Sequence, residues 1–380
     1  MSWREITLGE AIRVKHGYAF KGEFFSPNGS HLVVTPGNFH ESGGLRVREG
    51  KERFYVGDIP EDFVLAKDDL IVAMTEQGEG LLGSSAWIPE DDFFLHNQRI
   101  GLVSQCDESL LHKRYLYWLF NTPNIRSQIR ASATGAKVKH TAPERLYKVR
   151  VSIPDIAEQQ KITALLDNIA ENQAVLQRQV SLLEEAARLI YVEWFVRLRF
   201  PGHEKAETQG PLPEGWYQEP LGQRIELNYG KSLKESDREP GEIPVFGSSG
   251  IVGHHANALS QGPGIIVGRK GNVGSIFYSP APFFAIDTVY FISPEQTTFF
   301  LLHTLQRMNF ISSDAAVPGL NRNYAYSQPI TWPSDSVLSK FEATCTPIYE
   351  QITTLERQIK QHKSARDLLL PRLISGQLRL

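Results

Sequence analysis

The sequence predicts an α+β protein built twice. Two globular segments of mixed structure are each followed by a long amphipathic helix, and the helices are expected to pack as an antiparallel coiled coil under a pseudo-two-fold axis. Three observations lead there. Trp3, Leu8, Gly9, Ile12, Val14 and Gly17 recur as Trp216, Leu221, Gly222, Ile225, Leu227 and Gly230, every pair 213 positions apart. From Pro154 and Pro333 a second match runs 179 positions apart, pairing Ile162, Leu166, Ile169, Leu176, Val180 and Ile190 with Phe341, Cys345, Ile348, Leu355, Ile359 and Leu369. The third observation is the spacing inside that second match, which alternates four and three as a heptad seam does. Together they divide the chain into residues 1–153, 154–200, 201–333 and 334–380.

The first globular segment carries a β-rich run at Asp69–Met74 and helical spacing from Leu110 to Ile129. Its seam then follows Ile162, Leu166, Ile169, Gln173, Leu176, Val180, Leu183, Ala187, Ile190 and Trp194. At ~1.5 Å per residue such a helix is a rod of ~60 Å, too long for one globular neighbour to cover. The link 200–210 is polar with Pro and Gly, and reads as an exposed connection. In the second globular segment Gly264–Gly268 is strand-like and Phe299–Phe310 helical. The second seam is Phe341, Cys345, Ile348, Ile352, Leu355, Ile359, His362, Arg366, Leu369 and Leu373, with Pro347 expected to kink or divide its helix. Periodicity alone is equally compatible with each helix packing on its own domain. Duplication favours pairing, and antiparallel pairing is simplest because a globular segment intervenes. Gln173 and His362 then either fix register or lie at frayed or solvated positions.

Composition narrows the function classes. At ~100–200 residues per domain, 380 residues make two or three folded units. Hydrophobic residues at 41% and charged residues at 22% exclude a disordered or collagen-like chain. Two cysteines, Cys106 and Cys345, exclude a disulfide framework and a four-ligand zinc site and suit a reducing compartment. The start Met1-Ser2-Trp3-Arg4-Glu5 lacks a secretory pattern, so a cytoplasmic location is expected. The uncharged stretch Ile243–Gly268 holds too much Pro, Gly, Ser, His and Asn to supply the roughly 18 apolar residues of a membrane helix. A net charge of −3 leaves any nucleic-acid argument to local patches.

Catalytic motifs fail one by one. Gly230-Lys231-Ser232 lacks the upstream glycine of a phosphate-binding loop, since Ile225 stands there. His203-Glu204 lacks a second histidine, and Cys106 has no ligand partner nearby in sequence, so no metal is implied. Glu49-Gly50-Lys51 ends like a nuclease carboxylate site, yet no Asp precedes Asp58, which favours a solvated turn. His254-His255 are strand neighbours pointing to opposite faces. Neither an amino-methyltransferase string such as Asn-Pro-Pro-Tyr nor a dinucleotide turn is found.

Binding remains, and the local charge supports it. Residues 126–143 carry Arg126, Arg130, Lys137, Lys139 and His140 around a flexible Ser132–Ala136, without one Asp or Glu. In the second copy, residues 316–324 offer a Gly loop with Asn321, Arg322 and Asn323. Between Ile243 and Ile286 the only charges are Arg269 and Lys270, set in Gly268-Arg269-Lys270-Gly271-Asn272-Val273-Gly274. Arginine pairs bidentately with guanine and asparagine with adenine in the major groove, so these loops are candidates for DNA.

The chain resembles, along essentially its whole length, the specificity subunit of bacterial and archaeal type I restriction-modification systems. The resemblance rests on the Trp-x4-Leu-Gly start of each globular segment, the run from Gly264 to Gly274, Ile286-Asp287-Thr288-Val289-Tyr290-Phe291, and the helix start from Ile153 to Ile162. The second helix departs, because Pro333-Ser334-Asp335 is followed by Ser336 and Val337 rather than Glu-Gln. The family implies that residues 1–153 and 201–333 are target recognition domains, each reading one half of a split DNA sequence. The helical regions 154–200 and 334–380 would be a spacer, a ~60 Å ruler against ~34 Å per turn of DNA. It further implies two modification subunits that bring S-adenosylmethionine and adenine methylation, and restriction subunits that bring the ATP- and Mg-dependent motor and nuclease. No catalytic site is expected in this chain itself. The DNA-binding candidates are Gln98, Arg99, Arg130, Lys137, Lys139 and His140 in the first domain, and Lys231, Arg269, Lys270, Asn272, Asn321 and Arg322 in the second. The spacer and partner-binding candidates are Leu166, Ile169, Leu176, Val180, Ile348, Ile352, Leu355 and Ile359. A coiled-coil scaffold whose globular domains bind proteins or glycans is the alternative reading.

Overall fold

The computed structural model describes residues 3–48, 50–76, 80–206, 208–209, 211–310 and 319–380, with only the backbone at 205, 208 and 209. The chain divides into two compact units, Met1–Ala174 with Lys360–Leu380, and Val175–Ile359. Each unit therefore combines a globular segment with part of both long helices.

In the first unit the main sheet is antiparallel, in the order Ile12–His16, Ile100–Cys106, Leu70–Ala73, Ser85–Trp87. Its core holds Leu8, Ile12, Leu70, Tyr115, Leu116, Trp118, Leu146 and, from the long helices, Ile162, Leu166, Leu370 and Leu373. A smaller sheet of Phe25–Ser26, Phe54–Tyr55, Leu32–Val34 and Phe94–His96 packs its own aromatic cluster. The second unit repeats the main sheet strand for strand as Asn228–Tyr229, Val289–Ile292, Gly264–Gly268, Ile276–Ser279. In both, the strand at the start of the segment pairs with the strand that leads into a long helix, in identical register: Arg4 faces Ile153, and Tyr217 faces Trp332.

The repeated residues have a steric cause. A Cβ on Gly9 would lie 2.7 Å from Tyr147 Cβ, and one on Gly222 would lie 2.6 Å from Tyr326 Cβ. A Cβ on Gly17 would lie 2.1 Å from Asn97 O, and one on Gly230 2.0 Å from Ile286 O. Only glycine fits where the backbones approach so closely. The apposed tyrosines are equivalent too, since Tyr147 Oη accepts from Val14 N and Tyr326 Oη from Leu227 N, both at 2.9 Å. The 179-residue offset thus already holds at Tyr147 and Tyr326, ahead of Pro154.

The long helices run Ile156–Tyr191 and Asp335–Ile374. The first continues through a π-helical turn at Val192–Val196. Within the second unit Tyr191 meets Phe341, with ring centroids 6.1 Å apart, while Ser181 and Glu184 line a cavity with Ile352, Thr353 and Glu356. Rising numbers on one helix meet falling numbers on the other, so the pairing there is antiparallel. Leu166, Val180, Ile352 and Leu355 are buried, Leu176, Ile348 and Ile359 pack against the second unit's core, and Ile169 is half-buried. Gln173 and His362 are likewise half-buried.

The helix starts explain the family-like run before Ile162. Asp155 Oδ1 caps Glu158 N at 3.0 Å, and buried Gln159 accepts from His112 N at 2.9 Å and donates to Leu110 O and Pro154 O. The second copy lacks that glutamine and docks one turn further on. There the Glu342 carboxylate accepts from Phe299 N and Phe300 N, at 3.0 and 2.9 Å.

Three expectations are corrected. Pro347 does not divide its helix, which is continuous from 335 to 374; Phe341 and Cys345 before it and Tyr349 after it are all seated in the core, which outweighs one missing backbone bond. The helical spacing of Leu110–Ile129 is two helices, Lys113–Phe120 and Pro123–Ser132, because Pro123 favours a new first turn. The link after the first helix is anchored rather than exposed at its start, with Phe200 buried against Trp216. Glu49 and residues 316–318 lie outside the described residues. Among the described residues no helix is long and apolar enough to cross a membrane.

Candidate nucleic-acid interface

In each unit the candidate residues gather where the central strand of the main sheet ends. In the first, Met74 N donates to Arg99 O at 3.0 Å and Met74 O accepts from Thr141 N at 2.9 Å. Thr75–Glu76 then pairs with Lys139–His140, and Thr75 Oγ1 lies 3.2 Å from His140 Nδ1. A further bridge, Thr134 to His140, closes the loop that carries Lys137. The strand end thus brings Gln98, Arg99, Lys137, Lys139 and His140 together, all exposed except the half-buried Lys139. An open cluster of cations on a braced loop is what phosphate binding requires.

The other two cations of that charge run face inward. Arg130 Nη1 lies 3.1 Å from Oε1 of buried Glu76, whose Oε2 accepts from Gly80, Leu81 and Leu82 N. Arg126 donates to Phe120 O, Gly80 O, Glu41 O and Asn121 Oδ1, and burial lowers its guanidinium to about 10. Arg130 and Arg126 brace the scaffold beneath the loop.

The second unit uses the same wiring. Arg269 N donates to Thr288 O at 2.9 Å and Arg269 O accepts from Leu320 N at 2.8 Å, so Arg269 occupies the place of Met74 and Leu320 that of Thr141. Lys270 bridges Gly319 as Thr75 pairs with His140. Lys231 N donates to Ala285 O, which sets its exposed side chain beside this strand end. Exposed Asn272 sits in the turn where Gly274 N closes on Gly268 O. Asn321 Oδ1 caps the helix Arg322–Ser327 by accepting from Asn323 N and Tyr324 N. Arg322 lies over Tyr229 and Tyr326. Sequence reasoning missed Tyr229, a 49% exposed aromatic among these cations. Its position two residues before Lys231 was the available signal.

The thiols are not part of this surface. Burial pushes both Cys106 and Cys345 up to about 12, and Cys106 Sγ donates to Leu111 O. His255 is buried and accepts from Glu239 N, whereas His254 is exposed. Among the described residues no group of three His, Cys, Asp or Glu can hold a metal.

Two copies of one cation-lined sheet end define a protein of the DNA-recognition class. The sequence family described as the type I restriction modification DNA specificity domain matches residues 2–184 and 213–362. The chain belongs to that family, and DNA target specificity is its role. It is 25% identical over 301 residues to the type I restriction enzyme MjaIX specificity subunit of Methanocaldococcus jannaschii, covering 70% of this chain and 69% of that one. It is 27% identical over 172 residues to the EcoBI specificity subunit of Escherichia coli, covering 44% of this chain and 32% of that one. The crystal structure of a type I restriction-modification S subunit from M. genitalium shares the fold at TM-score 0.59 and 18% identity, over 98% of this chain and 96% of that one.

Proposed function

We propose that the chain reads a DNA target in two parts, one with each unit, and directs partner subunits to it. The observation that carries this reading is the repeated wiring, in which the Met74–Thr141 and Arg269–Leu320 bonds recur at the same sheet end, with exposed basic residues beside it in both units. The loops differ in residues while the frame is shared, which suits two half-sites of unlike sequence. Phosphate contacts from Lys137 and Lys139 would set position, and Asn272 and Lys270 would contact base edges. Methylation of adenine with S-adenosylmethionine, and ATP- and Mg-dependent restriction, would belong to two modification subunits and to restriction subunits. The setting would be the cytoplasm.

Exposed apolar residues on the first long helix support the assembly part of the proposal. Val175, Leu182, Leu189 and Val196 recur every seven residues and are 56, 51, 48 and 48% exposed. A row of exposed apolar side chains along one helix is a candidate contact for a partner, narrower than a full amphipathic face. Leu182→Asp with Leu189→Asp should abolish co-purification with the neighbouring modification subunit while shifting the Tm by no more than a few degrees. Undiminished complex would remove the stripe from the interface.

The function itself is tested by co-expression with that modification subunit and single-molecule sequencing of methylated adenine. A split motif is expected, with one half altered when one globular segment is exchanged. Host DNA that gains no methylation despite a stable complex would overturn the reading.

A further inference from the structure

The end of the second unit's sheet holds an alternating ladder of rings and guanidiniums. The Arg269 guanidinium lies 5.1 Å from the Tyr229 ring centroid and 5.6 Å from that of Tyr290. Arg322 lies 5.1 Å from Tyr229 and 5.8 Å from Tyr326. The outer rings are fixed. Tyr290 is 2% exposed and Tyr326 is tied through its hydroxyl to Leu227 N. Tyr229 is the exposed middle rung, edge-on to Tyr290 at 5.0 Å. Neither arginine forms an ion pair among the described residues; Arg269 donates to the Asp287 carbonyl at 3.1 Å. Two like charges that converge on one ring, with no carboxylate paired to either among the described residues, repel unless an anion joins them.

We propose that Tyr229 is the positioning residue of a phosphate clamp, holding Arg269 and Arg322 side by side against the DNA backbone. The proposal rests on the DNA reading above and adds which groups take the phosphate. It also separates the two units. In the first, the places of Tyr229, Tyr290 and Arg269 are taken by His16, Gly101 and Met74, so no ring ladder forms and the backbone contact falls to the loop of Lys137.

The test is equilibrium binding of the full chain to a labelled mixed-sequence duplex of about 30 base pairs across a salt series, since each phosphate contact contributes about 0.9 to the salt slope. Arg269→Ala with Arg322→Ala should weaken binding roughly tenfold or more at low salt and flatten the slope by about 2. Tyr229→Leu should reproduce much of that loss and add nothing to the double arginine variant, whereas Tyr229→Phe, which keeps the ring, should bind as wild type. Lys137→Ala in the other unit should add independently. If Lys137→Ala weakens binding and Tyr229→Leu leaves affinity and slope unchanged, the clamp is wrong and the DNA reading stands. Equal damage from Tyr229→Phe and Tyr229→Leu would overturn the role of the ring. Wild-type protein that ignores the duplex would overturn both.

Discussion

Acidification from about pH 7 to about pH 4 is expected to remove several kcal/mol of stability, through two histidines buried neutral. Burial holds His96 and His303 down at about 4, against 6.5 for an ordinary histidine. His96 donates from Nε2 to Ile100 O, and its buried Nδ1 has no partner among the described residues, so a second proton there meets no acceptor among them. His303 is held by Gln306 Oε1 at 3.2 Å and the Tyr349 hydroxyl at 3.1 Å; charging it forces that hydroxyl to stop donating. The unfolded chain binds these protons first. Stability is therefore complete above about pH 6.5 and falls progressively as pH drops toward 4, by up to ~3 kcal/mol per histidine. Glu342, Glu184 and Glu356, whose carboxyls burial pushes up, act in the opposite direction and offset part of the loss. Thermal unfolding followed against pH measures this. His303→Gln should flatten the acid limb of the second unit, and a wild-type Tm that stays constant down to pH 4.5 would show that these rings do not control it.

The duplication was legible because its causes are local and unforgiving. At Gly9 and Gly222, and at Gly17 and Gly230, no other residue fits, and the four-three seam keeps its spacing even where its residues differ. The candidate surface was legible as charge, since Lys137, Lys139 and His140 form a run without an acidic residue, and the strand pairing of Lys139–His140 and the bridge from Thr134 to His140 gather that run at one strand end. What escaped depends on partners remote in sequence. Arg130 looked like its neighbours in the run until Glu76 faced it across 54 positions of chain. Asn321, by contrast, caps its helix through the amides of Asn323 and Tyr324, two and three residues on. Tyr229 became notable only when Arg269 and Arg322, 40 and 93 residues away, converged on its ring. Of the two outcomes expected at Pro347, division of the helix does not occur, because packing on both sides of the proline keeps the helix continuous.

Replacing Glu76 by Ala should lower the stability of the first unit by ~3–5 kcal/mol, the usual result of removing one partner from a buried charged network. The side chain is 3% exposed. Its Oε2 gathers three successive amides, Gly80, Leu81 and Leu82, at 2.9–3.1 Å, while Oε1 faces Arg130. Alanine leaves those three amides without that acceptor and removes the carboxylate that faces Arg130. Glu76→Gln keeps an oxygen for the amides but turns an NH2 group toward Arg130 in place of Oε1, so a smaller loss of ~1–2 kcal/mol is expected. The consequence for DNA follows from register. Glu76 is directly opposite Lys139 in the short ladder that holds the basic loop, so loosening one strand releases the other. Hydrogen exchange at His140, whose amide donates to Thr134 O, should accelerate in Glu76→Ala, and binding through the first unit should weaken even though Glu76 points away from solvent. Glu76→Ala within 1 kcal/mol of wild type, with exchange at His140 unchanged, would mean that the loop is held by its own bridge from Thr134 to His140 and not by the carboxylate beneath it.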